Sequence, residues 1–233
     1  MRFVKNRLMT LTGFLFLGNT LIFGVPVKMD QEKVISSRSM SLEKRYNVPS
    51  VNEVMKENIL LTLAYLRGVV KDPQKIDWQA VNKPFSYSFT LKPGETYAFQ
   101  KDSLPEFTSS VKVTTDLHFA SQEGFLSDGY LFGDGVCHLA SLFYWAAKDA
   151  NLTAVAPTNH NFATIPEIPR EYGVAIYSQP NEHDTNAHQN LYVQNNENTD
   201  VKFQISFDGK ELGVKVLRDN GIERLTRINQ EII

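Results

Sequence analysis

Gly133-Asp134-Gly135-Val136-Cys137-His138-Leu139-Ala140-Ser141 is the stretch on which the fold turns. After its glycine-punctuated turn, Leu139, Leu142, Phe143, Ala146, Ala147 and Ala150 recur at helical spacing. That periodicity predicts a helix beginning near Cys137, with one apolar stripe facing a core and Asn151 placed to end it. Cys137 is the only cysteine of the chain. A helix start carries unpaired N–H groups and the positive end of the macrodipole, and both favour a thiolate over a thiol whose ordinary pKa is about 8.5. The plainer alternative is a small buried hydrophobe.

Outward from this helix the chain alternates between the two periods. Val54, Met55, Ile59, Leu60, Leu63, Ala64 and Leu66 predict a helix over 51–70, stopped by Gly68 and Pro73. Phe85, Tyr87, Phe89 and Leu91 have strand spacing, Lys92-Pro93-Gly94-Glu95 reads as a turn, and Tyr97 with Phe99 starts a second short extended run. Val111 and Val113 hint at another strand. Beyond the Cys137 helix, Tyr172–Ser178, Asn190–Gln194, Val201–Phe207 and Glu211–Leu217 are strand candidates, the last two joined by the hairpin signal Asp208-Gly209. Helices early and strands late predict an α+β fold, an antiparallel sheet packed against the central helix that begins at Cys137.

The N-terminus reads as an export or anchoring signal. Arg2, Lys5 and Arg7 precede a charge-free run from Leu8 to Val25, so residues 1–27 are expected to be a signal peptide or signal anchor, with everything after them outside the cytoplasm. Residues 28–49 are polar and aperiodic, which predicts a linker, and 50–233 is expected to form one domain. In an extracytoplasmic protein a lone cysteine is inert and buried, links two chains, or reacts.

Composition excludes some classes. With 24 basic and 26 acidic residues and a formal charge of −2, nothing argues for nucleic acid. The histidines, His118, His138, His160, His183 and His188, lack metalloprotease spacing, and His183, Asp184 and His188 read as a solvated loop, so no metal and no cofactor are expected.

The segment Gly133 to Ala147, GDGVCHLASLFYWAA, resembles the signature of the VanW family, in which a glycine-rich turn precedes Val-Cys-Gln and a helix rich in small, hydroxyl and aromatic residues. Leu91 to Phe99, LKPGETYAF, resembles that family's Leu-x-Pro-Gly-Glu-x-Phe-Ser-Phe segment. His160 falls where the family carries a His after the helix, and Asn195-Asn196 where it has paired Asn, so the resemblance spans about Asn58 to Val216. It implies a cell-envelope protein acting on peptidoglycan, since some members are L,D-transpeptidases that use the motif cysteine. Carried over, Cys137 attacks a stem-peptide carbonyl to form a thioester and His160 is the acid/base. The backbone N–H groups of Cys137 and His138 bind the oxyanion, and Gly133 and Gly135 permit close backbone approach to substrate.

The chain departs from the family pattern at three places. His138 stands where the family has Gln, Asp134 places an anion near the thiol, and Arg170-Glu171-Tyr172-Gly173-Val174 replaces a Gly-x-Asp pattern, leaving Glu171 or Asn190 as candidates to orient His160. Two alternatives therefore stand beside the transpeptidase: a catalytically silent wall-binding or structural module, and a cysteine peptidase of NlpC or transglutaminase type. Phe143, Tyr144 and Trp145 are expected in the core and at its rim.

Overall fold

Alternation along β7 (Val201–Phe207) buries Val201, Phe203, Ile205 and Phe207 on one face, and β8 (Glu211–Asp219) answers with Leu212, Val214 and Val216. The two form an antiparallel hairpin, Gly209 taking φ +112° and the Asp208 carboxylate accepting from the Lys210 and Glu211 N–H groups. In the computed structural model, which describes residues 32–107, 111–130 and 132–219, this hairpin is the middle of a four-stranded antiparallel sheet. β1 (Glu32–Ser41) flanks β8 and β2 (Phe85–Leu91) flanks β7.

A second sheet has the order β4 (Val111–Thr115), β3 (Thr96–Gln100), β6 (Tyr192–Gln194), β5 (Thr153–Val155). The β3–β4 pair is parallel and the others antiparallel. The α+β class is found as expected, but the expected single antiparallel sheet is two sheets, one of them mixed. Between them lies α3 (Val136–Asp149), the helix of the cysteine segment, with Leu139, Leu142, Phe143, Ala146 and Ala147 fully buried. Phe89, Phe203, Tyr97 and Phe143 stack in series at centroid spacings of 5.2 to 6.5 Å, so one aromatic column joins β2, β7, β3 and α3. Truncating such a ring costs about 3–5 kcal/mol.

Two expectations are corrected. The polar stretch 28–49 contains β1, paired along its length with β8, followed by the wholly buried Arg45. Its composition hid it because this edge strand buries serines, Ser36 and Ser41, and a bulge between Val34 and Ser36 breaks the alternation. Tyr172–Ser178 is no strand. Its backbone takes other partners: Val174 N–H donates to Ser141 Oγ (2.9 Å), Ala175 to Thr158 O (3.0 Å), Ile176 to Cys137 Sγ (3.4 Å) and Tyr177 to Gln189 O (3.2 Å). The segment thus lies along the first turns of α3.

The first helix is α1 (Pro49–Leu66), and two short helices, α2 (Trp78–Val81) and α4 (His183–His188), fill connections. The N-terminal segment 1–27 lies outside the described residues. Among the described residues no helix is long and apolar enough to cross a membrane.

Candidate active site

α1 is the platform beneath the glycine turn. Asn58, fully buried, donates to the carbonyls of Leu126 and Asp134 (3.0 Å each) and accepts from Leu126 N–H (2.8 Å), fixing the loop that leads into α3. Gly135 caps the helix at φ +96°, and a Cβ there would sit 2.5 Å from the Met55 carbonyl oxygen of α1. At Gly133, φ +79°, a Cβ would meet the Phe119 side chain at 2.7 Å. Both glycines are therefore required by protein packing, and both also line the cavity onto which Cys137 opens.

Cys137 opens onto a cavity of about 760 Å³ that His138, His160 and Asp134 also line. Its sulfur accepts from Ile176 N–H and donates to Ile176 O at 3.6 Å. Burial pushes the thiol up to about 11, with the Asp134 carboxyl acting in the same direction and the Ile176 bond against it. The expectation of a thiolate at the helix start is thereby reversed. A helix terminus contributes at most about 2 kcal/mol, which desolvation of the half-buried sulfur exceeds. Asp134 is itself pushed up to about 6, by burial and then by Asp128 beside it.

The two imidazoles are neighbours, both 6 % exposed, their rings edge to face at 6.2 Å. Burial, then the Arg45 guanidinium and His160, push His138 down to about 3, and its Nδ1 has no hydrogen-bond partner. His160 is lowered chiefly by burial, while the Ala163 carbonyl, 3.1 Å from its Nδ1, acts the other way. That bond places the proton on Nδ1 and the lone pair on Nε2, the form a general base needs. At neutral pH the thiol and both rings are uncharged.

The other expected groups are arranged differently. Glu171 is exposed on the short turn Arg170–Tyr172, outside the cavity wall. Asn190 is fully buried and bonded to Gln100, Asp102 and Leu191, tying β3 to the approach to β6. Neither orients His160; the Ala163 carbonyl does. The His138 N–H is bonded to Gly135 O (3.0 Å) within the first turn, so it is not an open oxyanion donor, and of the two expected backbone groups the Cys137 N–H remains. Trp145 lies outside the cavity wall, stacked on Tyr172 and with the Arg38 guanidinium 4.6 Å from its ring centroid.

Sequence reasoning missed Arg45, His118 and Ser178, all on the cavity wall. Arg45 donates to the carbonyls of Ser41 and Pro166 and to the Glu167 carboxylate, so β1 is clamped to the chain that follows His160. It also missed the exposed rim aromatics Tyr130 and Phe162, the latter with its ring 3.9 Å from that of His160. His183, read as part of a solvated loop, lies on α4 and bonds Asp102 at 2.9 Å.

A half-buried thiol and two imidazoles line one cavity at the head of a helix between the two sheets of an α+β protein. The family model described as VanW like protein matches residues 87–217, and the chain belongs to that family. No curated protein and no solved structure matches it. Within the matched region the paired asparagines are structural. Asn195 donates to Leu91 O and Thr199 O and exchanges backbone bonds with Gly94 and Glu95, while Asn196 accepts from Thr153 N–H, so the Pro-Gly-Glu turn, β6 and β5 are locked together.

Proposed function

We propose that this protein remodels peptidoglycan as a cysteine acyltransferase of L,D-transpeptidase type, its domain held outside the cytoplasm by the N-terminal segment. The observation that carries the reading is the single cavity in which Cys137, His138 and His160 meet, His160 having its Nε2 lone pair directed by the Ala163 bond.

Because the resting thiol is protonated, ionising it alone at neutral pH would cost about 5.5 kcal/mol, taking about 1.4 kcal/mol for each unit between 7 and about 11. Proton transfer concerted with attack avoids that cost, and His160 is the base for it. The sulfur leaves its weak bonds to Ile176 and attacks the carbonyl of the third stem residue while its proton passes to His160 Nε2. The same proton then goes to the nitrogen of the departing D-alanine as the C–N bond breaks. The Cys137 N–H donates to the developing oxyanion, joined by the neutral His138 ring in its Nδ1–H tautomer, that nitrogen being otherwise unpartnered and the ring standing where the family has Gln. An amine from a second stem, or water, then resolves the thioester.

The test is product analysis by mass spectrometry after incubating the protein with disaccharide-tetrapeptide. Alanine release or a cross-linked dimer is expected with the natural chain and not with Cys137→Ala; products formed equally by both would refute the assignment. A second reading, a silent wall-binding module, is favoured by one observation: the exposed rings of Tyr130 and Phe162 at the cavity rim suit stacking on sugar rings. It predicts no turnover and glycan binding lost in Phe162→Ala.

A further inference from the structure

The same cavity holds an imidazole–hydroxyl pair that acylation does not use. His118 Nδ1 lies 2.8 Å from Ser178 Oγ. Ser178 is 6 % exposed and follows Ile176, whose backbone holds the thiol, by two residues. The His118 backbone N–H bonds both oxygens of Glu123 (3.0 and 2.9 Å), so the ring is carried on a fixed loop. His118 and Ser178 also line a smaller chamber of about 180 Å³ whose wall includes Lys101, Asp102, Asp116 and His183. Lys101 pairs with Asp116 and the His183 ring bonds the Asp102 carboxylate, each at 2.9 Å, so the wall carries groups of both signs. The His118–Ser178 pair thus lines both the cavity of the thiol and a chamber of mixed charge.

Transfer to an amine needs a second base. The acceptor arrives as an ammonium and must shed one proton before it can attack and a second as the amide forms; His160, freed when D-alanine leaves, takes the second and hands it to the sulfur, so the first needs another base. We propose that His118, positioned by Ser178, is the base that activates the acceptor, an amine of amino-acid type whose ammonium and carboxylate enter through the mixed-charge chamber. This rests on the acyltransferase reading above.

The step balances. His118 Nε2 takes one proton from the acceptor ammonium, and the resulting imidazolium donates through Nδ1–H to Ser178 Oγ, with Asp102 near enough to stabilise its charge. The free amine attacks the thioester carbonyl, the C–S bond breaks, and the second nitrogen proton passes through His160 to the departing sulfur. An amide and the Cys137 thiol result, and His118 returns its proton to solvent.

The experiment uses the full chain with disaccharide-tetrapeptide as both donor and acceptor, and hydroxylamine as a competing acceptor. Hydroxylamine is already unprotonated at neutral pH and needs no base. In His118→Gln the ratio of cross-linked dimer to hydrolysed tripeptide should fall by about tenfold or more, while the ratio of hydroxamate to tripeptide stays within about twofold of the natural protein. Ser178→Ala should lower the dimer ratio by roughly threefold with the same hydroxamate ratio, because it loosens the ring without removing the base. A dimer ratio unchanged in His118→Gln, or dimer and hydroxamate ratios falling together, would overturn the proposal. Failure of the natural protein to acquire any acyl group on Cys137 would instead overturn the underlying reading, and the two failures are told apart by that adduct.

Discussion

Replacing Gly135 by alanine tests how the thiol is positioned. Two costs are readable from the backbone. At φ +96° an L side chain is strained, by about 1–2 kcal/mol. The added Cβ would also lie 2.5 Å from the Met55 carbonyl oxygen and 2.9 Å from its Cα, atoms in the middle of α1 that cannot yield without moving the helix; overpacking of this kind costs about 1–3 kcal/mol. The sum is about 2–5 kcal/mol. Gly94→Ala is the internal control, since its φ is +79° but no atom lies within 4 Å of the new Cβ, so it should cost only the strain of about 1–2 kcal/mol. Urea unfolding of both variants, with m unchanged, measures the difference through the midpoints. Gly135→Ala should also lose more turnover than its control, because a helix start displaced by an ångström misplaces the sulfur. Equal stabilities for the two variants would refute the claim that the turn is pressed against α1.

Three further outcomes follow from the site. His138 has a folded pKa of about 3 against 6.5 in the unfolded chain, so the unfolded state binds the extra proton between those values. Stability is therefore full above about pH 6.5 and falls on acidification, by about 3 kcal/mol at about pH 4. His138→Gln should remove about that much acid sensitivity in urea titrations, and an unaltered acid limb would contradict it. Asn190→Ala should cost about 3 kcal/mol of stability for the loss of its buried bonds to Gln100, Asp102 and Leu191, whereas the exposed Glu171→Ala should stay within about 0.5 kcal/mol and keep turnover. Arg45→Met should cost about 3 kcal/mol and raise the His138 pKa as followed by NMR; a ring titration unmoved by the loss of this cation would show that the two are not coupled.

The elements that could be read in advance are those whose partner is the common core. The stripe Leu139 to Ala150 and the alternation of Phe85 to Leu91 and Val201 to Phe207 each face apolar neighbours, so their period survives in the sequence. β1 was illegible because it buries serines at a sheet edge and its pairing partner, β8, is remote in the chain. Tyr172–Ser178 carries the residues of a strand, but its N–H groups go to a thiol, a hydroxyl and loop carbonyls, partners that only the folded chain brings near. At the site, the turn and the family resemblance single out Cys137 and His160, which line one cavity. Arg45, His118 and Ser178 stand in no local pattern, and their positions in the cavity depend on contacts between segments far apart. The electrostatics were illegible for a different reason. The helix start argues for a thiolate, and only the burial of the sulfur beside Asp134 and Ile176 reverses the sign.

The central claim is that Cys137 carries the acyl group. Intact-protein mass spectrometry of the full chain, acid-quenched during turnover of disaccharide-tetrapeptide and followed by peptide mapping, reads it directly. The account predicts a mass increase equal to the disaccharide-tripeptide acyl group, located on Cys137, sensitive to hydroxylamine and absent in Cys137→Ala. An unmodified Cys137 in a sample that releases D-alanine, or an adduct on another residue, would contradict it.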